Sequence, residues 1–344
     1  MLKTSDKFSY NLDENYSEIL QMKPIQLLKA KGINSLKAAY ISKQVTPEKV
    51  IFSIKKESAR LKDHNIWITP PDDQFIKPYL DKLGDPDFEN KPLWGVPFAI
   101  KDNIDIKDII TTGGIKAYRN EISKEDSFIV KLLKDAGAVI LGKLNMHEAA
   151  LGATTQNEFY GKCNNPHYIG FTPGGSSGGA GSAVAAGLCA GAIGTDTLGS
   201  IRIPASFCGT VGFKPTFGRI SNRGIMPLCK MLDHAGPITR SVEDASLLFE
   251  IISKFDFADP ECKNMKPYIH NSDLNIKSLH GKNIGFIDNN NISELNIDIQ
   301  LAYNQAILLL GSEGATINEI DIDNYFSPEK LIPQSMLIIE SELY

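Results

Sequence analysis

Gly174-Gly175-Ser176-Ser177-Gly178-Gly179 is the stretch on which the reading of the fold turns. Directly behind it, residues 180–187 are small and helical in spacing, and residues 189–194 read as a strand. The glycines let the backbone turn sharply and come close to a ligand. A helix that starts just after the serines points its positive end at them, which favours negative charge developing near Ser176. An ordinary Gly/Ser loop fits the same letters. A P-loop fits poorly, because no Lys-Ser or Lys-Thr follows the glycines.

Working outward, residues 96–100 read as an apolar strand. Residues 127–136 read as a helix closed by Gly137, and 139–141 as a buried strand. Strand and helix alternate across 92–240, the pattern of an α/β layered core. Residues 1–90 are polar and Lys-rich, with helices expected at 35–42, at 46–63 behind a Thr46 cap and Pro47, and at 74–83. After the core, Ser241 and Asp244 cap a helix running to about residue 254. A strand at 283–287, an amphipathic helix at 299–310 and an apolar helical ending at 331–344 complete the chain.

The 344 residues are 42% apolar and 22% charged, with net charge −5, which excludes a mostly disordered chain. No apolar run reaches the ~20 residues of a membrane span. The first ten residues lack the apolar stretch of a signal peptide, so a cytoplasmic location is expected. The charge gives no general attraction for nucleic acid, and no direct nucleic acid binding is expected. Cys163, Cys189, Cys208, Cys229 and Cys262 form no CxxC pair and are read as reduced, buried thiols. The histidines include no HExxH, and His147, His167 and His234 are read as structural, with no metal site.

Two further segments carry chemistry. In Gly194-Thr195-Asp196-Thr197-Leu198-Gly199-Ser200-Ile201-Arg202 a strand ends in a turn that presents a serine. Successive N–H groups in such a turn can converge as an oxyanion hole, with Asp196 bracing it and Arg202 pairing a carboxylate. In Pro97-Phe98-Ala99-Ile100-Lys101 a lysine directly follows an apolar strand. Buried beside hydroxyls, a lysine loses solvation and its neutral amine serves as a base.

Together these segments resemble the amidase signature family of serine amide hydrolases. Val211 to Thr216, Leu232 to Pro237 and Thr239 to Ala245 match it as well, and so does the spacing of Lys101, Ser176 and Ser200. The resemblance covers about 92–250. It implies an α/β fold with a central mixed β-sheet covered by helices on both faces. An N-terminal helical segment, 1–90, would pack on an amidase core, 91–344, that lacks the family's usual C-terminal part.

The resemblance also implies a triad. Ser200 is the expected nucleophile, Ser176 the relay serine behind a cis peptide bond after Gly175, and Lys101 the base. Thr197, Leu198, Gly199 and Ser200 would supply oxyanion N–H groups, and Ala150 and Gly175 would line the substrate side. Leu198 stands where the family has Gly or Ala, and is expected either to narrow the acyl pocket or to shift the turn. The expected reaction is hydrolysis of a small-molecule carboxamide through an acyl-serine, with no metal or organic cofactor. Alternatives are allophanate hydrolase, towards which Ile66-Trp67-Ile68 leans, the A subunit of a tRNA-dependent amidotransferase, and an inactive truncated remnant. A homodimer or an amidotransferase partner subunit is compatible with the family, although the sequence carries no interface signature.

Overall fold

A computed structural model describes residues 22–270, 278–287, 295–320 and 328–343, which fall into two units divided at residue 270. Residues 1–21 of the expected N-terminal segment, and Tyr344 at the expected apolar ending, lie outside the described residues.

The first unit opens with helices α1 (Pro24–Lys31), α2 (Ile33–Ile41) and α3 (Pro47–Arg60). Thr46 caps α3 by accepting from the Lys49 N–H at 3.4 Å, and α3 buries Val50, Ile51 and Ile54, one helical face. Strand β1 (Trp67–Thr69), helix α4 (Asp73–Asp81), strand β2 (Pro97–Lys101), helix α5 (Phe128–Asp135) and strand β3 (Val139–Leu144) follow. Ser127 caps α5 through the Val130 N–H at 3.3 Å. Then come α6 (Gly178–Ala186), β4 (Gly191–Asp196), α7 (Arg202–Cys208), β5 (Val211–Gly212), β6 (His234–Thr239) and α8 (Val242–Ile252).

The six strands form one mixed sheet in the order β1-β3-β2-β4-β6-β5. Its centre, β3-β2-β4, is parallel, while β1 pairs antiparallel with β3, and β6 antiparallel with β4 and β5. Parallel strands need both faces covered. Every residue of β2, β3 and β4 is buried, and helices lie on the two faces. A side chain added at Gly191 would meet Leu248 of α8, and one added at Gly194 would meet Ser177 at the head of α6. These positions are three apart in a strand, so they point to opposite faces.

Helix α6 is built from Gly, Ala, Ser and Val because it lies unusually close to its neighbours. A Cβ at Gly179 would stand 2.4 Å from the Asn145 carbonyl oxygen and 2.8 Å from that of Ile66, both backbone atoms that cannot swing away. Gly179→Ala should therefore destabilise the fold by about 2–3 kcal/mol. A melting point lowered by roughly 5–10 °C is the expected reading in a thermal scan.

The second unit contains β7 (Asn283–Ile287), α9 (Ile297–Ser312), β8 (Thr316–Ile320) and α10 (Pro328–Leu343). Strands β7 and β8 pair in parallel, in register from Asn283 with Thr316 to Ile287 with Ile320. The helix expected at 299–310 is present; Tyr303, Ile307 and Leu310 are half-buried, whereas Ile299, Leu301, Leu308 and Leu309 are exposed. Strand 283–287 and helix 299–310 are thus found, the helix with one half-buried face and no fully buried residue.

Candidate active site

Strands β2 and β4 are parallel neighbours, so their C-terminal ends lie side by side, the usual place for a site in an α/β sheet. Lys101 closes β2 and is wholly buried. Its Nζ lies 2.7 Å from Ser176 Oγ and 2.7 Å from Thr195 Oγ1. Burial strips the ammonium of water and brings its pKa down to about 7, against the opposing pull of the Asp233 and Asp196 charges. A large share is therefore free amine near neutral pH.

Lys143 makes the contrast clear. It is equally buried, but its Nζ sits 3.5 Å from Asp102 Oδ1 and 2.8 Å from Thr111 Oγ1. Among the described residues, no carboxylate stands within ion-pair distance of Lys101. Burial lowers the pKa of both lysines, but Lys143 has the Asp102 carboxyl beside it, whereas the near neighbours of Lys101 Nζ are hydroxyls.

Ser176 follows a cis peptide bond from Gly175, as the resemblance implied. Gly175 itself is closed in: a Cβ there would lie 2.7 Å from Thr154 N and 2.9 Å from the Ala153 carbonyl carbon. The Ser176 carbonyl accepts the His147 N–H at 3.0 Å. Ser177 stitches the loop to β4, donating through Oγ to the Thr195 carbonyl at 3.1 Å and accepting the Thr195 N–H at 3.3 Å. The Ser177 N–H donates to the Ser200 carbonyl at 3.2 Å, which places the Ser200 turn beside Ser176.

The turn after β4 is braced from within, as the sequence led us to expect. Asp196 accepts the N–H of Gly199 at 2.8 Å and of Ile201 at 3.1 Å. Arg202 grips the same carboxylate with Nε at 3.0 Å and Nη2 at 2.9 Å, a fork that suits a carboxylate. Burial works against the Asp196 charge, but the Arg202 fork and the backbone donors outweigh it and hold the carboxyl below its ordinary range. Asp196→Asn puts an amide N–H₂ among N–H donors. Amide turnover should fall roughly 10–100-fold, and denaturant melts should show a loss of about 2 kcal/mol.

Of the two expectations for Leu198, the backbone geometry bears on the shift of the turn. The positive φ of the turn falls on Gly199, at 127°, and Leu198 is not among the residues with positive φ. Leu198 therefore needs no left-handed backbone, and its side chain is 46% exposed. The Gly199 N–H is already given to Asp196, whereas those of Thr197, Leu198 and Ser200 have no partner among the described residues. The Ser200 hydroxyl has none either, and the residue is half-buried.

Ala150 lies in the short turn Glu148–Ala150 after β3, buried, with φ of 60° and its N–H donated to the His147 carbonyl. It shares a loop with the His147 contact to Ser176, and no hydrogen bond among the described residues joins it to the triad. Thr195 and Asn103 were not foreseen. Asn103 Nδ2 donates to Thr195 Oγ1 at 3.3 Å and to the Met226 carbonyl at 3.2 Å. Both lie inside quoted motif segments or next to them, but their meeting depends on the pairing of β2 with β4. His167 and His234 bond backbone carbonyls, Cys208 at 3.0 Å and Leu232 at 2.7 Å. All five cysteines are buried and form no disulfide. A separate cleft of about 610 Å³, bordered by α4 and α5 and lined by Phe75, Tyr79, Lys82 and Lys134, contains none of the triad residues.

Comparison with known proteins bears on this geometry. The Amidase family model matches residues 67–339. The chain is 42% identical over 253 residues to the A subunit of a glutamyl-tRNA(Gln) amidotransferase from Acinetobacter baumannii, covering 73% of this chain and 50% of the relative. Among solved structures it resembles the peptide amidase of Stenotrophomonas maltophilia (TM-score 0.77, 30% identity, 87% of this chain and 63% of that one). It also resembles a bacterial aryl acylamidase (TM-score 0.80, 27% identity, 91% and 65%). The chain spans about half the length, or less, of the curated relatives it matches. The family match takes in the strands and loops that hold Lys101, Ser176 and Ser200, and on that extent the chain belongs to the amidase family.

Proposed function

We propose that this chain hydrolyses a carboxamide through an acyl-serine intermediate, and that Lys101, Ser176 and Ser200 carry the reaction. The observation behind it is the buried Lys101 amine, 2.7 Å from Ser176 Oγ and without a carboxylate partner among the described residues. Serine hydroxyls are weak nucleophiles and need a base. Ser176 takes the Ser200 proton as it passes its own to Lys101. Ser200 Oγ then bonds to the carbonyl carbon, and the displaced electron pair resides on an oxygen held by the N–H groups of Thr197, Leu198 and Ser200. The proton returns through Ser176 to the departing nitrogen, the C–N bond breaks, and ammonia or an amine leaves. Water cleaves the acyl-serine by the same route. Ala150 and Gly175 would border the acyl group, and a cytoplasmic setting suits the buried thiols.

A second reading is favoured by the relatives named as amidotransferase A subunits, one of which is 50% identical over 169 residues. In that case the amide is glutamine and a partner subunit receives the ammonia. Ammonia or amine release from a panel of aliphatic, aryl and peptide amides plus glutamine tests both. Release from simple amides supports the hydrolase. Release from glutamine alone supports the amidotransferase role. A folded chain that releases nothing from any of them overturns the proposed activity.

A further inference from the structure

Asp233 lies next to the proposed oxyanion turn and is not part of the triad. It is 6% exposed, just before β6, which pairs with β4. Its Oδ1 accepts the Thr197 hydroxyl at 2.5 Å, and its Oδ2 accepts the N–H groups of Leu228 at 2.8 Å and Cys229 at 3.0 Å. Its own carbonyl accepts Asn222 Nδ2 at 2.9 Å, and its N–H donates to the Cys229 carbonyl at 2.8 Å. Every polar atom of the residue is thus engaged. Of the three turn residues whose N–H groups are free among the described residues, Thr197 is the one tied through its side chain to another segment.

We propose that Asp233 is a positioning residue: it holds Thr197 through the hydroxyl and so fixes the outer end of the oxyanion turn, while Asp196 fixes the inner end. The two carboxylates grip the turn from two segments that meet because β6 runs antiparallel to β4, with Asp196 opposite His234. A turn held at both ends keeps its N–H groups converged before the oxyanion forms, which is where preorganised donors gain their effect. Charge-assisted bonds are the stronger kind, so a carboxylate suits the task better than a neutral side chain. The Asp233 charge also favours the protonated form of Lys101, the state reached during acylation. This role rests on the hydrolase reading for its consequence in catalysis, but not for the geometry of the turn.

Asp233→Asn, Thr197→Val, Thr197→Ser and the double variant Asp233→Asn/Thr197→Val separate the two. Hydrogen–deuterium exchange of peptides spanning 196–202 needs no activity. Exchange should be about 10-fold faster or more in Thr197→Val and Asp233→Asn, near wild type in Thr197→Ser, and unchanged in peptides from β2 and β3. Reaction of Ser200 with a phosphonate should slow roughly 10–100-fold in Asp233→Asn and in Thr197→Val, and stay near wild type in Thr197→Ser, which keeps the hydroxyl. The double variant should be no slower than the worse single one, since both remove one link. Thr197→Val is the milder change if Asp233→Asn fails to fold. Wild-type exchange in Thr197→Val, or phosphonate losses that multiply in the double variant, would overturn the proposal. A wild-type chain that takes no phosphonate defeats the hydrolase reading, and the exchange measurement still decides the role of Asp233.

Discussion

Ser200→Ala is expected to lower amide turnover by about 10⁶-fold, to the level left by binding and the oxyanion N–H groups. The size follows from the role: without Oγ no acyl-serine forms, and no neighbour among the described residues replaces it. Ser176 Oγ lies against Lys101 at the base of the loop, and Thr195 Oγ1 is engaged by Lys101 and Asn103. The fold should be indifferent to the change. The Ser200 hydroxyl makes no hydrogen bond among the described residues, and its carbonyl, which accepts from Ser177, stays in place. Circular dichroism and melting point should match wild type within about 0.5 kcal/mol. Steady-state kinetics beside that control separate lost chemistry from lost structure.

Lys101→Ala is expected to cost roughly 10²–10⁴-fold in kcat/KM, the range for a positioned base. It should also change the pH profile. In wild type the working form is the free amine, and its pKa is about 7. Below that pH the amine is protonated and cannot accept the Ser176 proton, so kcat/KM should rise tenfold per pH unit up to about 7 and then level. The limb should be absent from the alanine variant. Were the lysine an ordinary solvated one near 10.5, the rise would run on into strongly alkaline solution. A wild-type profile flat across roughly pH 5 to 9 would remove Lys101 from the role of base.

The α/β character and the loops that meet at the triad were legible because each has a local cause. Gly137 ends α5, Thr46 and Ser127 cap helices, and the Gly174–Gly179 run opens α6. Six described elements were not legible: α1, β1, α7, β5, β6 and β8, three of which show why. Helix α7 has no expected counterpart: it contains Pro204, a residue that argues against a helix, yet Pro204 falls in its first turn, where no intrahelical N–H bond is lost. Strand β6 contains Gly236-Pro237, letters that usually break a strand, and it is held by its pairing with β4. Strand β1 is three residues long and is fixed by β3, which lies far along the chain.

The candidate site divides in the same way. Lys101, Ser176 and Ser200 sit in motifs whose spacing is visible. The contacts of Thr195, Asn103 and Asp233 are set by strand register, and no local pattern announces them. The size of Leu198 was legible, but not that the positive φ of the turn falls on Gly199 instead.

The most direct test is to treat the folded wild-type chain with a serine-reactive phosphonate and locate the adduct by peptide mapping. The account predicts one adduct per chain, on Ser200, forming faster as pH rises towards 7. A folded chain that takes no adduct, or takes it on a serine other than Ser200, would contradict the assembled Lys101–Ser176–Ser200 site.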